Sequence, residues 1–232
     1  MTTPPINAIF DGDSGVNGDS GVDSDPGPAH TLILAHGAGQ GMESPFMAAF
    51  ASGLARRGLR IMRFEFPYMR SARALGRRKP PDRAPVLLES WHQAIAMARS
   101  QGAQTLSIGG KSMGGRMASL IADEAQVEAL ICLGYPFHPP GKPERLRTEH
   151  LASLGTRTLI CQGERDTFGR REEVAAYALS DAIDLRWLTD GDHSFKPRKA
   201  SGRTEIQNWC EAMDAVAGFL TGSQDEAATM ER

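Results

Sequence analysis

The residues best suited to chemistry are a serine, an aspartate and a histidine that each follow a strand-like run. Residues 110–114 read Gly-Lys-Ser-Met-Gly and fit G-x-S-x-G, a pattern that raises its serine on a sharp turn between a strand and a helix. The run 105–108 before it is strand-like, and apolar residues recur at helical spacing from Met113 to Ile121. We therefore predict that Ser112 is a nucleophile.

The same residues admit a second interpretation. Gly110, Lys111 and Ser112 could close a phosphate-binding loop of the form G-x-x-x-x-G-K-[ST]. That loop needs a glycine five residues before Gly110, where this chain has Thr105. The intervening residues have the composition of a strand rather than of a loop. We therefore discount nucleotide binding.

A serine hydroxyl becomes nucleophilic when a base takes its proton and a third group orients that base. Asp166 follows the strand-like run that ends at Cys161, and His193 follows the run that ends at Leu188. The three residues thus occur in the chain order serine, acid, histidine, which is the order of one large class of hydrolytic triads. We predict a catalytic triad of Ser112, Asp166 and His193.

Other residues compete for the acid and base roles. Glu164, Asp190 and Asp192 are alternative acids, although Asp192 is adjacent to the histidine and its side chain could rarely reach back to the ring. Asp166 could instead cap the helix that follows it, and the histidine at 193 could be a solvated loop residue. His138 is an alternative base, but it precedes Asp166 and would break the order.

The backbone around Ser112 is expected to stabilise negative charge. The first N–H groups of the helix after Ser112 point at the site, and the N–H of Met113 should form one side of an oxyanion hole. The other side should come from the glycine-rich loop 36–41, with Ala38 as the first candidate and Gly39 as the second. We assign substrate contacts to three further side chains: His36, Tyr68 and His138.

Strand-like and helix-like segments alternate along the chain. Apolar runs at 31–35, 59–64, 105–108, 129–134, 156–161 and 185–188 predict strands, and helices are predicted at about 44–57, 86–100, after 112 and at 204–220. This alternation predicts an α/β fold with a mostly parallel sheet covered by helices on both faces. Ligands of such sheets bind at the carboxyl ends of the strands, where the predicted triad lies.

Composition favours one globular domain over residues 29–221. The chain has 232 residues, of which 41% are hydrophobic and 23% charged, and its net charge of −2 argues against nucleic-acid binding. The sequence shows no signal-peptide pattern of a charged segment followed by an apolar one, and no apolar run of about 18 residues that could span a membrane. We therefore predict a cytoplasmic protein that does not bind the membrane. Cys132, Cys161 and Cys210 lack metal-ligand spacing and are predicted to be reduced thiols.

The two ends of the chain are polar. Residues 1–28 contain five aspartates and no Lys or Arg, with Gly-Asp-Ser-Gly-Val at both 12–16 and 18–22, and predict a disordered acidic tail. Calcium binding there is a weaker alternative, since the spacing matches no ligand loop. Ile6 and Phe10 could add an edge strand. Residues 222–232 are interpreted as a polar C-terminal tail.

A basic segment lies between the second strand and the next helix. Residues 70–83 contain six Lys or Arg residues and one acid, Asp82. We interpret the segment as a long loop beside the site. It is either a solvated surface, which the acidic tail could hold, or a collar that attracts anionic acyl substrates.

Five motifs together resemble a known family: those at 36–39, 110–116, 135–142, 162–166 and 191–195. The chain is similar over residues 30–221 to a small family of α/β-hydrolases without a cap domain. That family groups bacterial hydrolase-like proteins with a testis-expressed animal protein and a subunit of an animal histone-acetyltransferase complex, and is distantly similar to dienelactone hydrolases. The resemblance implies the α/β-hydrolase fold and leaves the substrate open.

Taken together, these features predict a serine hydrolase that cleaves an ester or related acyl bond through an acyl-Ser112 intermediate. The expected partner is a small-molecule acyl substrate, with no cofactor and no metal. Some animal relatives resemble scaffolds, so the alternative is an interaction module that kept the fold without the activity. Neither the substrate nor the oligomeric state follows from the sequence.

Overall fold

The computed structural model describes residues 6–12 and 30–222. Within these residues seven strands form one sheet. They are β1 (Asn7–Asp11), β2 (His30–Ala35), β3 (Arg60–Glu65), β4 (Thr105–Lys111), β5 (Leu130–Leu133), β6 (Thr158–Gly163) and β7 (Ile183–Leu188). The helices are α1 (Pro45–Ala55), α2 (Pro67–Ala74), α3 (Ala84–Ser100), α4 (Met113–Ser119), α5 (Arg171–Val174) and α6 (Glu205–Thr221).

The sheet order is β1-β3-β2-β4-β5-β6-β7. Every neighbouring pair from β3 to β7 is parallel, and β1 alone pairs antiparallel, with β3. The predicted mostly parallel sheet is therefore confirmed. Because the strands β2 to β7 run in one direction, the loops after β2, β4, β6 and β7 meet at one edge.

Two apolar layers cover the sheet, as the alternation of elements predicts. On one face α1 and α6 bury Phe46, Phe50 and Met213 against β2, β3 and β5. On the other face α3 and α4 bury Trp91, Ile95 and Met117. Between β5 and β6 only a short 3-10 helix (Glu149–Ser153) intervenes, so no separate domain is inserted there. None of the described helices is long and apolar enough to cross a membrane.

The first strand corrects the interpretation of residues 1–28 as one disordered tail. Residues 7–11 form β1, the edge strand that Ile6 and Phe10 suggested. Asp11 accepts two hydrogen bonds from the guanidinium of Arg63 in β3, at 2.9 and 3.0 Å, which attaches β1 to the sheet. The predictions for 13–28 and 223–232 lie outside the described residues, and so does the calcium alternative.

The basic segment is partly helical, which corrects the prediction of a long loop. Helix α2 begins at Pro67 and continues to Ala74, and only residues 75–83 form a loop. The carboxylate of Asp82 accepts a hydrogen bond from the N–H of Tyr68 at 2.9 Å and so satisfies one of the free donors of the first turn. Periodicity missed this helix because it buries a single side chain, that of Tyr68.

Candidate active site

Ser112 stands between β4 and α4 in a strained conformation. Its φ is +52° and its ψ is −115°, values that few residues other than glycine adopt. The turn passes very close to β2, since a Cβ atom at Gly110 or Gly114 would lie 2.3 or 2.4 Å from the carbonyl oxygen of Ala35. Only glycine fits at these positions. Strand β4 also fills the positions that a phosphate-binding loop would need.

The three predicted triad side chains meet at the carboxyl edge of the sheet. The Oγ of Ser112 lies 2.8 Å from Nε2 of His193, and Nδ1 of His193 lies 2.7 Å from Oδ2 of Asp166. A carboxylate can only accept, so Nδ1 carries the proton and Nε2 is free to accept the serine hydroxyl. This is the arrangement in which a histidine removes a proton from serine.

Asp166 is completely buried and firmly held. Its Oδ1 accepts the N–H of Phe168 at 2.9 Å, and its Oδ2 accepts a side-chain N–H of Gln162 at 2.9 Å. Gln162 is itself buried, and its Oε1 accepts the N–H of Tyr135 at 2.7 Å. Asp166 does not cap α5, whose N-cap residue is Arg170. Gln162 belongs to the motif at 162–166, but the motif alone did not predict that its side chain would bind Asp166.

The competing acids bind other partners. Glu164 accepts the N–H of Asp190 at 2.9 Å. The carboxylate of Asp190 in turn accepts hydrogen bonds from the backbone N–H and from the guanidinium of Arg198. Asp192 accepts the N–H of Ser194 at 2.8 Å and so closes a local turn. These acids shape the loop that carries the histidine, while Asp166 alone among them contacts the ring.

Helix α6 holds the loop that carries His193. The side-chain amide of Asn208 donates to the carbonyls of Phe195 and Thr189, at 2.7 and 3.0 Å. The indole N–H of Trp209 donates to the carbonyl of Ser194 at 2.9 Å. The helical spacing placed Trp209 in the core, but it could not show that Asn208 is buried and bound to this loop.

Lys111 is a buried cation beside the triad. Its ammonium donates a hydrogen bond to the carbonyl of His193, and its Nζ lies 5.5 Å from the ring centroid of Phe46 and 6.0 Å from that of Phe195. Desolvation lowers the pKa of Lys111 to about 8, against opposing effects of nearby carboxylates. In the sequence this lysine occupied the variable position of G-x-S-x-G, and its other interpretation, as part of a phosphate-binding loop, was discounted.

The environment of His193 favours its neutral form. Burial lowers the pKa of the imidazole, and the positive charge of Lys111 lowers it further, while the hydrogen bond and charge of Asp166 raise it. The net direction is downward from 6.5. The ring of Phe168 packs beside it, with the two centroids 4.2 Å apart. A neutral imidazole is what a general base requires.

The loop after β2 is held from below by two buried side chains. Nδ1 of His36 lies 2.8 Å from the carbonyl oxygen of Gly37, and the hydroxyl of Tyr68 lies 3.1 Å from that of Ala38. No described peptide bond is cis, and in a trans peptide the N–H points opposite to the C=O. The N–H groups of Ala38 and Gly39 therefore point away from Tyr68.

The tautomer of His36 follows from its second contact. Its Nε2 accepts the N–H of Phe66 at 3.1 Å, so this nitrogen carries no proton and Nδ1 donates to the carbonyl of Gly37. Burial lowers the pKa of His36 to about 4. The imidazole is therefore neutral at physiological pH and serves as a fixed link between the loop and the end of β3.

A cavity of about 270 Å³ opens above Ser112. Its lining includes two of the predicted oxyanion residues, Ala38 and Gly39, with Phe46, Met47, Lys111 and Phe168. His36 and Tyr68 are 0% and 1% exposed and do not line it, so their prediction as substrate contacts is wrong. Among the described residues, no group of three His, Cys, Asp or Glu side chains could hold a metal ion.

His138 also lies away from the cavity. It is buried, its Nδ1 lies 2.8 Å from the carbonyl of Pro139, and its Nε2 lies 3.4 Å from a carboxylate oxygen of Glu173. Its backbone N–H donates to the carbonyl of Phe168 at 3.2 Å. The prediction that it forms the rim of the pocket is therefore wrong, and it packs behind the segment that carries Asp166.

Comparison with solved structures gives the same fold. An α/β serine hydrolase homologue from Coxiella burnetii aligns with a TM-score of 0.66 and 17% identity over 91% of this chain and 90% of that one. A serine hydrolase without a lid from Xanthomonas campestris aligns with a TM-score of 0.63 and 18% identity over 95% and 97%. Est1E from Butyrivibrio proteoclasticus, solved with ferulic acid, aligns with a TM-score of 0.66 and 17% identity over 94% and 96%.

Because the sequence identities are only 17–18%, the structural similarity supports the fold and does not identify the substrate. The Xanthomonas protein is described as lacking a lid, and no lid domain is inserted within residues 6–12 and 30–222 of this chain. A family model for the alpha/beta hydrolase domain matches residues 28–221, which is most of the chain. The chain therefore belongs to the α/β-hydrolase family.

Proposed function

We propose that this protein is a serine hydrolase that cleaves a carboxylic ester or related acyl bond. The observation that carries the proposal is the continuous hydrogen-bonded series from buried Asp166 through His193 to Ser112. It ends beside a loop in which the N–H groups of Ala38 and Gly39 point away from the buried side chains that bind the loop carbonyls. An interaction module would have no need of a strained serine paired with a neutral, oriented imidazole.

The proposed reaction has two halves. In the first, the Oγ of Ser112 attacks the carbonyl carbon while its proton passes to Nε2 of His193, and the carbonyl oxygen becomes an oxyanion. The N–H groups of Met113 and Ala38, with Gly39 as the alternative, would stabilise that charge. The C–O bond then breaks, and the imidazolium returns the proton to the departing alcohol. In the second half, water repeats these steps and releases the carboxylic acid.

The cavity directly above Ser112 has room for a short acyl chain. A cavity of about 270 Å³ is at the lower limit for small-molecule sites, and no inserted domain extends it in the described residues. Carboxylesterase and dienelactone-hydrolase-like activity both fit a cavity of this size. The cytoplasmic location and the narrower grouping with the testis-expressed protein and the acetyltransferase subunit stay predictions.

Labelling with a fluorophosphonate probe tests the proposal directly. We expect covalent labelling of the wild type and hydrolysis of 4-nitrophenyl esters with short acyl chains. Ser112→Ala should abolish labelling and lower kcat by about 10³-fold or more. Ser194→Ala is the matched control, because Ser194 lines the same cavity and should leave labelling intact. A folded wild type that neither labels nor hydrolyses any ester would support the interaction module instead.

A further inference from the structure

A second cavity adjoins the one above Ser112. This groove of about 640 Å³ lies between the loop after β2 and the end of α2. Both cavities are lined by Ala38, Gly39 and Gln40, so they meet along the loop that is proposed to hold the oxyanion. A substrate bound to Ser112 could therefore extend past this loop into the groove.

One wall of the groove is cationic. It contains Arg73, Arg77, Arg78 and Lys79. Arg73 is neutralised, because its guanidinium lies 2.9 Å from the carboxylate of Glu43 and 2.8 Å from that of Glu65. Its ion pair with Glu65 holds α2 against β3.

The other three cations have no such partners. Arg77, Arg78 and Lys79 are exposed, and none forms an ion pair or side-chain hydrogen bond with a residue in 6–12 or 30–222. Asp82, the acid nearest them in sequence, accepts the N–H of Tyr68 instead. Three neighbouring positive charges repel one another, and an anion in the groove would relieve that repulsion.

The rest of the groove suits a hydrocarbon chain. The side chains of Met69 and Ala72 and the backbone of Gly76 line it beside the cations. Apolar contacts next to a positive wall match an aliphatic chain that ends in a negative group. Guanidinium groups bind both carboxylates and phosphates through paired N–H donors.

We propose that this groove selects esters whose acyl chain carries a terminal anionic group, a carboxylate or a phosphate. The inference rests on the proposed esterase function and adds a substrate class to it. The ester carbonyl lies at Ser112, the chain passes Ala38 and Gly39, and the anion reaches Arg77, Arg78 and Lys79. Because these cations are exposed, their attraction for the anion falls as salt increases.

Mono-4-nitrophenyl esters of linear dicarboxylic acids test the proposal. Chains of six to nine carbons cover the possible span, and each is compared with a neutral ester in which an isopropyl group replaces the carboxylate. In 20 mM salt we expect kcat/KM to be about tenfold higher for the best anionic ester than for its neutral counterpart, and 300 mM salt should remove most of the difference. A third ester ending in a phosphate identifies which anion the groove prefers.

The variant Arg77→Ala/Arg78→Ala/Lys79→Ala should lose the preference and hydrolyse the neutral ester at the wild-type rate. Its matched control removes three exposed cations that line neither cavity, Arg56, Lys142 and Lys199, and so changes the net charge equally. The control should keep the preference. Equal rates for anionic and neutral esters in the wild type, or an equal effect of both triple variants, would overturn the proposal.

Binding without turnover separates this proposal from the esterase proposal. In the Ser112→Ala background, calorimetry measures the affinity for the monomethyl ester of heptanedioic acid. The groove variant should weaken binding about tenfold, and the control variant should not. Unchanged affinity in the groove variant would overturn the anion site even if Ser112 proves to be a nucleophile. Weakened affinity with no hydrolysis by the wild type would retain the anion site and reject the esterase.

Discussion

The two sides of the candidate active site are built in different ways. On the side of β6 and β7, side chains carry the chemistry, and Asp166 and His193 contact each other directly. On the side of β2, the backbone of residues 37–39 faces the cavity, and the side chains of His36 and Tyr68 support it from below. A side chain that carries the chemistry can be replaced directly by mutation. A backbone N–H can be altered only indirectly, by replacing the side chain that holds its peptide plane.

This difference predicts two kinds of mutant behaviour. A substitution on the triad side removes a reacting or orienting group, so the rate falls by orders of magnitude while the fold survives. A substitution under the loop leaves every reacting group in place and loosens the donors that stabilise the transition state. The rate then falls less, and substrate binding changes little.

The largest effect after loss of the nucleophile is expected from Asp166→Asn. The side-chain NH₂ of an asparagine at this position can donate to Nδ1 of His193. The tautomer with its proton on Nε2 then becomes populated, and Nε2 cannot accept the proton of Ser112. We expect kcat to fall by about 10³- to 10⁴-fold. Circular dichroism and steady-state kinetics would show a folded, slow enzyme. Asp192→Asn is the control, since its Oδ1 would still accept the N–H of Ser194. If Asp192→Asn were slow and Asp166→Asn were not, the acid would be misassigned.

A smaller effect is expected from Tyr68→Phe. It removes the hydroxyl 3.1 Å from the carbonyl of Ala38, which frees the peptide plane that carries the N–H of Gly39. We expect kcat to fall about tenfold with KM nearly unchanged, since the lost order matters mainly for the oxyanion.

The control for Tyr68→Phe is Tyr135→Phe. Tyr135 is equally buried, and its hydroxyl donates to the carbonyl of Arg147 at 3.1 Å, away from the loop. Both variants should lose about 1 kcal/mol of unfolding free energy, but only Tyr68→Phe should lose rate. Equal kcat values in the two variants would show that Tyr68 is a core residue without influence on the site.

The same division explains which parts of the site could be predicted from sequence. Ser112, Asp166 and His193 were predicted because reactive side chains occur after strand-like runs in a fixed order. His36 and Tyr68 were predicted to contact the substrate. Their burial beneath the loop depends on how β2 and β3 end side by side, which local sequence does not encode.

The fold shows a parallel contrast. The strands and the helices α1, α3 and α6 were predicted within a few residues, because each buries a periodic apolar set. Helix α2 was missed because Tyr68 is its only buried side chain, which leaves no periodic apolar face. Gln162 and Asn208 were missed for a related reason, since a buried amide is recognised by its partners and not by its spacing.

Lys111 allows the electrostatic effect of β4 on the triad histidine to be measured. Neutral His193 is the active form, so kcat/KM should fall as pH drops through its pKa, with an inflection below the ordinary value of 6.5. Lys111→Met removes a positive charge that lowers this pKa, and the inflection should move to higher pH. Lys196→Met is the control, because Lys196 is exposed in the same loop. An unchanged or lower inflection in Lys111→Met would contradict the coupling.

The last prediction concerns His36, and its readout is stability rather than rate. The folded imidazole has a pKa of about 4, while in the unfolded chain it returns to about 6.5. Between these values the unfolded state binds a proton that the folded state does not, so the free energy of unfolding falls as pH falls. If the pH falls through the whole interval between these two pKa values, the free energy of unfolding decreases by up to about 3 kcal/mol.

Urea denaturation at several pH values between 7 and 4.5 would measure this slope in the wild type and in His36→Asn. Asparagine can still donate to the carbonyl of Gly37, but it has no proton to gain in this range. The variant should be less stable at pH 7, because the N–H of Phe66 loses its acceptor. The two stability curves should then converge as pH falls, since only the wild type carries the imidazole. Parallel curves would mean that His36 titrates alike in both states, and the loop would then need a different support from the one its hydrogen bonds describe.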